Sequence, residues 1–431
     1  MNTLELSKNI HEYMIEMRRH FHENPELSGK EVNTLETIKA ELTKMGIPFH
    51  HAPNGGIVAI VDSGKEGKTV LLRSDVDALP VSESETNAGG NKKVCISKND
   101  GVMHACGHDG HTATLLGALK ILNENKDAFS GKVIGAFEQG EEGGGNWVFL
   151  MKYMENHGIK FDTVFACHLQ IGVDAGKLAF VRGNTMATII RIAVKIKGRG
   201  GHGSRPDMSV SPVDCFVAIY NGMNTIRMRN CDPYNPLTFS IGHVQSGTKA
   251  NIIPDELTFE GTVRLFDREQ GLAFRQAFVD MVENTCKAYG CECEFLGLNY
   301  PGIGVYNDPQ CVDMAFEAVK NYMGEGIAIE GQPWMASESF SSYQKLAPGV
   351  LCFAGIRNEE AGITADHHNP MFEIDEEGLK YSCGVYVAYA LQYLNNSFDT
   401  DEKKWKGSLV DFLNSTGTYP ERVKMVEEYK E

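Results

Sequence analysis

The chain contains one dense cluster of side chains that could bind a metal ion, HACGHDGH at His104–His111. Its three histidines and one cysteine offer imidazole nitrogen and thiolate sulfur, which are ligands of zinc and other transition metals. The cluster directly precedes a helical pattern, which predicts a strand-to-helix turn where these side chains converge. A polar turn with a helix N-cap at Asp109 and a reactive cysteine are the alternatives. No second cysteine stands at C-x-x-C spacing, which weakens a redox role.

Two adjacent carboxylates, Glu141 and Glu142, follow a short apolar segment in FEQGEEGGG. Neighbouring side chains point in different directions, so one carboxylate can bind metal while the other holds a proton. A solvated acidic turn is the alternative, and such turns are common in a chain with a net charge of −16. The histidine-rich cluster nearby favours the chemical interpretation.

Three further histidines follow apolar segments: His168 in ACHLQ, and His367 and His368 in ADHHNP. Open α/β sheets place their sites at the carboxyl ends of strands, where His168 is predicted to lie. Each histidine alone is more often a satisfied polar residue than a ligand. Together with the two motifs above, they predict a metal site.

The elements that must position these residues have an α/β pattern. Apolar, β-branched segments at Gly56–Asp62, Thr69–Leu79, Lys132–Glu138 and Thr163–Leu169 predict buried strands. Leucine and alanine at helical spacing predict a helix over His111–Asn125. We therefore expect an α/β catalytic domain with a mostly parallel, mixed sheet flanked by helices.

Between Met186 and Leu298 the pattern changes to β-α-β-β-α-β, the ferredoxin-like α+β arrangement. After it, GVLCFAGI and a last helix near Glu376–Leu394 return to the first pattern. We therefore expect residues 1–186 and 299–431 to form the catalytic domain and residues 187–298 to be inserted in it. The charged tail after Ser397 is predicted to pack peripherally.

Composition excludes several classes of protein. The 431 residues include 41 basic and 57 acidic side chains, and this acidic balance argues against nucleic acid or an anionic membrane as a partner. The first residues, MNTLELSKNIHEYM, include acidic side chains and no long apolar core, so a signal peptide is not expected. No apolar stretch is long enough for a membrane span. The 11 scattered cysteines favour free thiols in a reducing cytoplasm.

Several motifs occur in an order that resembles a known family. They are RRHFHENPEL, LLRSDVDALP, GVMHACGHDGHTA, the Glu141–Glu142 pair, GRGGHGSRP, ANIIPDE and HHNP. This order resembles the aminoacylase and hippurate-hydrolase branch of the two-metal peptidases, which includes plant hydrolases of indole-acetyl amino acids. The resemblance spans Arg18 to Ala388. It implies a dinuclear metal site in the catalytic domain and an inserted lid domain that usually also dimerises.

The resemblance also implies roles for single residues. The metal ligands would be Cys106, His108, Glu142, His168 and His368. Glu141 would be the general base, and Asp75 and Asp77 would orient ligands from behind. His202, Asn251 and Arg264 would face the substrate from the lid. The alternatives for the last two are a turn former at Asn251 and a plain surface residue at Arg264.

Three positions depart from the family pattern. Glu338-Ser339-Phe340 stands where Glu-Asp-Phe is usual, so a supporting carboxylate is expected to be missing. Gln139-Gly140 replaces the usual Pro-Ala, and Asn87–Asn99 looks like an insertion near the site. These departures could alter the choice of substrate.

The sequence thus predicts a metal-dependent amidohydrolase that cleaves N-acyl amino acids with a metal-activated water. Two divalent ions per subunit are expected, with zinc or manganese favoured and cobalt or nickel also compatible. A homodimer through the lid is expected. The alternatives are a dipeptidase or carboxypeptidase, a non-catalytic metal-binding relative, and a cysteine hydrolase that uses Cys106.

Overall fold

The computed structural model describes residues 1–143, 145–418 and 420–430. The helices are α1 (Thr3–Asn9), α2 (His11–Glu23), α3 (Val32–Lys44), α4 (His108–Glu124), α5 (Trp147–Asn156), α6 (Pro212–Asn230), α7 (Arg268–Tyr289), α8 (Pro309–Tyr322), α9 (Phe340–Leu346), α10 (Gly378–Asn395), α11 (Leu409–Ser415) and α12 (Pro420–Glu427). The strands are β1 (Phe49–Ala52), β2 (Gly56–Asp62), β3 (Thr69–Asp75), β4 (Lys132–Glu138), β5 (Thr163–Asp174), β6 (Leu178–Phe180), β7 (Gly183–Met186), β8 (Thr188–Lys197), β9 (Gly201–His202), β10 (Leu237–Ser246), β11 (Ile252–Ile253), β12 (Glu256–Leu265), β13 (Glu292–Leu298), β14 (Val305–Asn307), β15 (Ala328–Glu330) and β16 (Gly349–Arg357).

The larger sheet has eight strands in the order β1-β2-β4-β3-β5-β16-β6-β15. Its centre, from β4 through β3 and β5 to β16, is parallel, whereas β1, β2 and β6 add antiparallel pairs. The sheet is buried on both faces, as the continuous apolar segments predict. The prediction of a mixed α/β fold is therefore confirmed.

Two of the predicted segments change length in the structure. The strand predicted at Thr69–Leu79 ends at Asp75, because the chain then leaves the sheet and Leu79 pairs with Met103 instead. The strand predicted to end at Leu169 continues to Asp174. Consequently His168 lies within β5 rather than at its last residue.

Helix α4 crosses one face of this sheet and is covered by α2 and α10, so nearly all of its residues are buried. It begins at His108, three residues earlier than predicted, after Gly107 in a left-handed conformation (φ 88°). Asp109 is thus the second helical residue rather than the N-cap. Its carboxylate accepts hydrogen bonds from Arg18 and His22 at 2.8 Å, so the N-cap interpretation is wrong.

The second sheet has four antiparallel strands in the order β10-β12-β8-β13. Helices α6 and α7 cover one of its faces and enclose a separate apolar core. Because β8 is followed by α6 and the strand pair β10 and β12 by α7, the order of elements is β-α-β-β-α-β. We refer to this unit, Thr188–Leu298, as the lid.

The C-terminal tail packs more closely than expected. Helices α11 and α12 lie on α5, and Leu409, Phe412, Leu413 and Val426 are buried against it. The tail therefore extends the apolar core on this face of the larger sheet. In the described part of the chain, no helix is long and apolar enough to cross a membrane.

Candidate metal centre and active-site cleft

A cleft of about 630 Å³ lies between the larger sheet and the lid. Strands β3, β4 and β5 are parallel, so the segments that follow β3 and β4 and the second half of β5 meet at one edge of the sheet. The lid strands β8 and β12 face this edge across the cleft through Ile189, Arg191 and Arg264. The cleft is therefore lined by residues from both the larger-sheet side and the lid.

The five predicted metal ligands come together in this cleft. Cys106 Sγ lies 3.7 Å from His168 Nε2, and His368 Nε2 lies 3.1 Å from a carboxylate oxygen of Glu142. His108 Nε2 lies 3.9 Å from the same oxygen of Glu142. The ligand atoms of Cys106, His108 and His168 lie within 4.8 Å of one another, as do those of Cys106, Glu142 and His368. Both groups can thus surround a cation.

The histidines present free nitrogens to the cluster because their other nitrogens are already bonded. His168 Nδ1 donates to the carbonyl oxygen of Leu169 at 2.8 Å, and His108 Nδ1 donates to Asp77 at 3.1 Å. Each Nε2 then faces the cluster and is the atom that a metal ion would bind. Burial, followed by the neighbouring His111 and His367, holds the pKa of His168 well below its usual range, so the ring is neutral and can bind a cation.

The thiol and carboxylates of the cluster need a cation nearby to ionise together. Burial, and next the Glu142 carboxylate, raises the pKa of Cys106 well above its usual range. A bound cation reverses this effect because it stabilises the thiolate directly. The sulfur, nitrogen and oxygen donors therefore fit divalent transition metals, and the buried thiol is inconsistent with a hard cation such as calcium.

His368 has an unusual backbone conformation, with a φ of 61°. A non-glycine residue in the left-handed region costs about 1–2 kcal/mol. The backbone N–H of His368 donates to the carbonyl oxygen of Ala105 at 2.8 Å, next to Cys106. This bond ties the two candidate ligands together and holds the strained conformation that turns His368 toward Glu142.

Asp77 connects two of the candidate ligands. Besides accepting from His108, its carboxylate accepts from the backbone N–H of Glu142 at 2.9 Å and from the hydroxyl of Ser28. Burial alone would raise the pKa of Asp77. The hydrogen bonds from His108 and the other donors outweigh burial, so the pKa of Asp77 lies below its usual value. Asp77 is therefore an ionised acceptor that orients His108 and the Glu142 backbone.

Asp75 contacts the candidate ligands less directly than Asp77 does. It accepts from His111 Nδ1 at 2.6 Å and from Arg73 at 2.8 Å, and its nearest approach to His108 Nε2 is 3.6 Å. His111 Nε2 in turn accepts from the backbone N–H of Leu169 at 2.8 Å. The last histidine of HACGHDGH thus joins β3 to β5 beside His168.

Glu141 and Glu142 have different partners but do not diverge fully, since a carboxylate oxygen of each lies within 4.8 Å of the other and of a ring nitrogen of His108. A carboxylate oxygen of Glu141 accepts from the backbone N–H of Ser339 at 3.1 Å, while Glu142 faces His368. Burial, then the carboxylates of Glu338 and Glu142, raises the pKa of Glu141 well above its usual range. Glu141 therefore takes up a proton more readily than an ordinary carboxylate.

The carboxylate expected to be missing at Ser339 is supplied by Glu138. The Ser339 hydroxyl donates to Glu138 at 2.7 Å, and Arg73 Nε donates to the same carboxylate at 2.8 Å. Arg73 also pairs with Glu338 at 3.0 Å. The buried guanidinium thus keeps its acidic partners although residue 339 is a serine.

The other two departures have different surroundings. Gln139 and the backbone N–H of Gly140 both donate to Glu31, at 2.9 and 2.8 Å, and this anchors the segment that leads into the glutamate pair. The insertion Asn87–Asn99 packs against the acidic Glu83 and Glu373 through hydrogen bonds. It contributes none of the described residues that line the cleft.

The structure separates the three lid residues. Arg264 lines the cleft, half-buried, and donates to the hydroxyl of Ser337 at 3.3 Å. His202 and Asn251 are exposed and line a different cavity of about 1010 Å³ on the lid. They are neighbours there, because β9 pairs with β11 and the N–H of Gly203 donates to the carbonyl of Asn251 at 2.9 Å.

The cleft residues that the sequence did not predict include Arg191, Trp334 and Arg422. Arg191 stands between the buried Ile190 and Ile192 on β8, so strand alternation could have placed it on the side facing away from the lid core. The edge of the Trp334 ring meets His168 with ring centres 5.4 Å apart. No local pattern connects Arg422, in the tail, with the site.

Comparisons with known proteins agree with this geometry. The sequence profile of peptidase family M20/M25/M40 matches residues 71–392. Thermostable carboxypeptidase 2 of Saccharolobus solfataricus is 36% identical over 90% of this chain and 97% of its own. N-acetylcysteine deacetylase of Bacillus subtilis is 32% identical over 89% of this chain and 97% of its own.

A solved structure matches as well. A dinuclear metal-binding peptidase of the M20 family from Bacillus subtilis is 29% identical and superposes with a TM-score of 0.73. The match covers 90% of this chain and 99% of the other. The fold and the two-metal resemblance expected from the motifs are both confirmed.

Proposed function

We propose that this chain, which belongs to peptidase family M20/M25/M40 and is a metal-dependent hydrolase of amide bonds, cleaves N-acyl amino acids into an acid and an amino acid. One observation carries the proposal. Five ligand-type side chains meet beside the protonatable Glu141, and the cationic Arg264 faces them across the cleft. An amide bond next to a carboxylate fits between these groups.

Two divalent metal ions per subunit form part of the proposal, with zinc or manganese favoured and cobalt or nickel compatible with the donors. They would be held by Cys106, His108, Glu142, His168 and His368. When bound, such ions polarise a carbonyl group and lower the pKa of a water molecule.

Glu141 is the proposed general base. It takes a proton from the attacking water and returns it to the leaving nitrogen as the amide bond breaks. Its raised pKa and its position next to Glu142 support this role. Asp77 orients His108 and the Glu142 backbone, while Asp75 acts indirectly through His111.

The lid residues are proposed to bind the substrate. Arg264 pairs with the substrate carboxylate, because guanidinium binds carboxylate with two parallel hydrogen bonds. His202 and Asn251 lie away from the cleft of their own chain. We propose that the protein is a homodimer through the lid and that His202 and Asn251 serve the partner's cleft, where His202 stabilises the negative charge that develops on the carbonyl oxygen.

We further propose that the enzyme works in the cytoplasm on small molecules, without nucleic acid or a membrane as partner. The 11 cysteines, all reduced in this structure, support a reducing compartment. The net charge of −16 supports the absence of polyanionic partners.

A dipeptidase or carboxypeptidase activity is the second candidate. A free peptide amine needs an acidic acceptor in the cleft, and the carboxylate of Asp366 lines it. Two relatives are named thermostable carboxypeptidases. Asp366 already accepts from the backbone N–H of His367 at 2.8 Å, and this makes it a weaker acceptor for an amine than a free carboxylate.

A hydrolysis screen tests both candidates. Acetyl-, benzoyl- and indole-acetyl amino acids are compared with unblocked dipeptides, after chelation and after return of zinc, manganese, cobalt or nickel. We expect turnover of the N-acyl compounds that is lost with chelator and restored by metal. Turnover of dipeptides alone would favour the second candidate. Turnover that survives chelation would point to Cys106 as a nucleophile.

A further inference from the structure

Three arginines, Arg191, Arg264 and Arg422, line the cleft together with four acidic residues, Glu141, Glu142, Glu338 and Asp366. Burial, and then the neighbouring Arg191, lowers the pKa of Arg264, and no acidic side chain offsets this effect. Arg191 and Arg264 belong to the lid. Within residues 1–143, 145–418 and 420–430, neither of these two arginines forms an ion pair with a carboxylate within 4.0 Å. Anionic groups of a ligand would therefore be stabilised here.

Arg422 comes from a part of the chain beyond the family match, which ends at residue 392. The tail that carries it is firmly attached. Ser408 and Asp411 form a capping box at the start of α11, and the backbone N–H of Leu409 donates to Glu155 of α5 at 2.7 Å. The edge of the Phe412 ring meets Trp147 with ring centres 6.2 Å apart.

Helix α12 continues this packing and aims Arg422 at the site. Val423 and Val426 are buried on one face of the helix, at a spacing of three residues. The ring of Tyr429 stacks on Phe149 with centres 5.5 Å apart. Because α5 begins just after the loop that carries Glu142, a helix fixed on α5 places Arg422 beside that loop.

The loop is shaped to admit the guanidinium. Gly145 has a φ of 67°, and a methyl group at this position would lie 2.7 Å from Nη1 of Arg422. The positive φ favours glycine here, and the absence of a side chain leaves room for the guanidinium. The tail thus brings one cationic group to the catalytic-domain wall of the cleft, opposite the two arginines of the lid.

We propose that Arg422 is a specificity-determining residue that selects N-acyl amino acids with a second carboxylate. This inference rests on the proposed function, because it names the substrate class of the same cleft. Arg264 binds the α-carboxylate, and Arg422, with Arg191 opposite, binds the second acidic group. The second carboxylate lies either on the side chain of an acidic amino acid or at the end of a dicarboxylic acyl chain, because both offer the same chemical group to Arg422.

Two matched substrate pairs test the proposal and separate the two sources. N-acetyl-glutamate is compared with N-acetyl-glutamine, and N-succinyl-methionine with its terminal amide. Each pair has nearly the same shape and differs by one charge. We expect kcat/KM to favour the acid by about tenfold to a hundredfold in at least one pair, because a charge-assisted hydrogen bond is lost with the amide.

Variants assign the preference to the tail. Arg422→Gln should remove the preference in that pair and leave kcat/KM for the amide within about twofold, and Arg422→Lys should restore part of it. Lys424→Gln is the matched control, since Lys424 is exposed on the same helix and faces Glu428 at 3.8 Å. Equal losses for acid and amide, or no preference for the acid in either pair, would overturn the proposal.

A binding measurement keeps this result independent of turnover. The metal-loaded Glu141→Gln protein, with and without Arg422→Gln, is titrated with the four compounds in a calorimeter. Tighter binding of an acid than of its amide, lost with Arg422→Gln, supports the anion subsite even if no N-acyl compound is hydrolysed. Equal affinities for acid and amide contradict it, whatever the activity.

Discussion

The two walls of the cleft are built in different ways. On the sheet side, Cys106, His108 and His168 are buried, and second bonds to Asp77 and Leu169 fix the two imidazoles. On the lid side, Arg191 is exposed and Arg264 is half-buried with one hydrogen bond of 3.3 Å to a side chain. One wall is a connected buried network, and the other presents separate side chains.

This difference suggests a division of tasks. Metal ligands need positions accurate to a fraction of an ångström, and a buried network supplies them within one chain. Groups that touch the substrate can come from a separate unit that approaches once the substrate is bound. We therefore expect changes on the sheet side to alter metal binding or the proton transfer, and changes on the lid side to alter substrate binding or the rate without loss of metal.

The largest effect is expected for Glu141→Gln. Glutamine cannot carry the proton, so kcat should fall by about a thousandfold or more. Metal content should stay near that of the wild type, because the five proposed ligands are unchanged and the amide oxygen of glutamine can still accept from the Ser339 backbone. Activity and elemental analysis of the same sample check this. Loss of metal together with activity would make Glu141 a ligand instead.

His202→Ala is expected to have the next largest effect, a fall in kcat of about a hundredfold. The side chain is exposed and bonds locally to Ser204, so the melting temperature and metal content should not change. Normal values of both kcat and kcat/KM would remove His202 from the mechanism.

Mixing two inactive variants shows which subunit His202 serves. If His202 reaches the partner's cleft, Glu141→Gln and His202→Ala subunits together form dimers with one intact site. Activity should then return after subunit exchange. Continued inactivity, with exchange verified by mass spectrometry of the dimers, would place His202 in the cleft of its own chain.

A third prediction compares the two aspartates behind the cluster. Asp77→Asn should lower metal affinity by about tenfold to a hundredfold, because it weakens the acceptor that orients His108 and Glu142. Asp75→Asn is the matched control and should affect metal affinity less, since Asp75 bonds to His111 and Arg73. Competition with a chromogenic chelator measures both. Equal losses would show that the two aspartates have the same role.

Much of the fold and of the metal centre could be predicted because the signals are local. Strands β2 and β4 have the predicted bounds, since a continuous apolar segment is a property of a single stretch of sequence. The candidate ligands Cys106 and His108 lie in one motif. The parallel β5 then brings His168 to them, which the α/β pattern also predicts.

What the sequence did not reveal depends on pairs of distant residues. Glu138 compensates for Ser339 only because β4 ends beside the start of α9, and nothing in either segment indicates that neighbour. Arg422 reaches the cleft only because α12 packs on α5. The insertion Asn87–Asn99 was expected near the site; none of its residues lines the cleft, and its polar groups pair with Glu83 and Glu373.

The smallest predicted effect is on stability, and it concerns whether residue 138 or residue 339 supplies a carboxylate beside Arg73. Ser339→Asp alone adds a like charge next to Glu138 and Glu338, and Glu138→Gln alone removes a partner of Arg73, so each should destabilise the protein. The double variant replaces the carboxylate at residue 138 by one at residue 339, whose side chain lies within hydrogen-bond distance of it. We expect the double variant to be more stable than the sum of the single effects by about 1 kcal/mol, within the range for residues in contact. Urea unfolding of the four proteins, with metal content held equal, measures this coupling. Additive effects would mean that Arg73 depends on Glu138 specifically, and that the sheet side tolerates no exchange of charge.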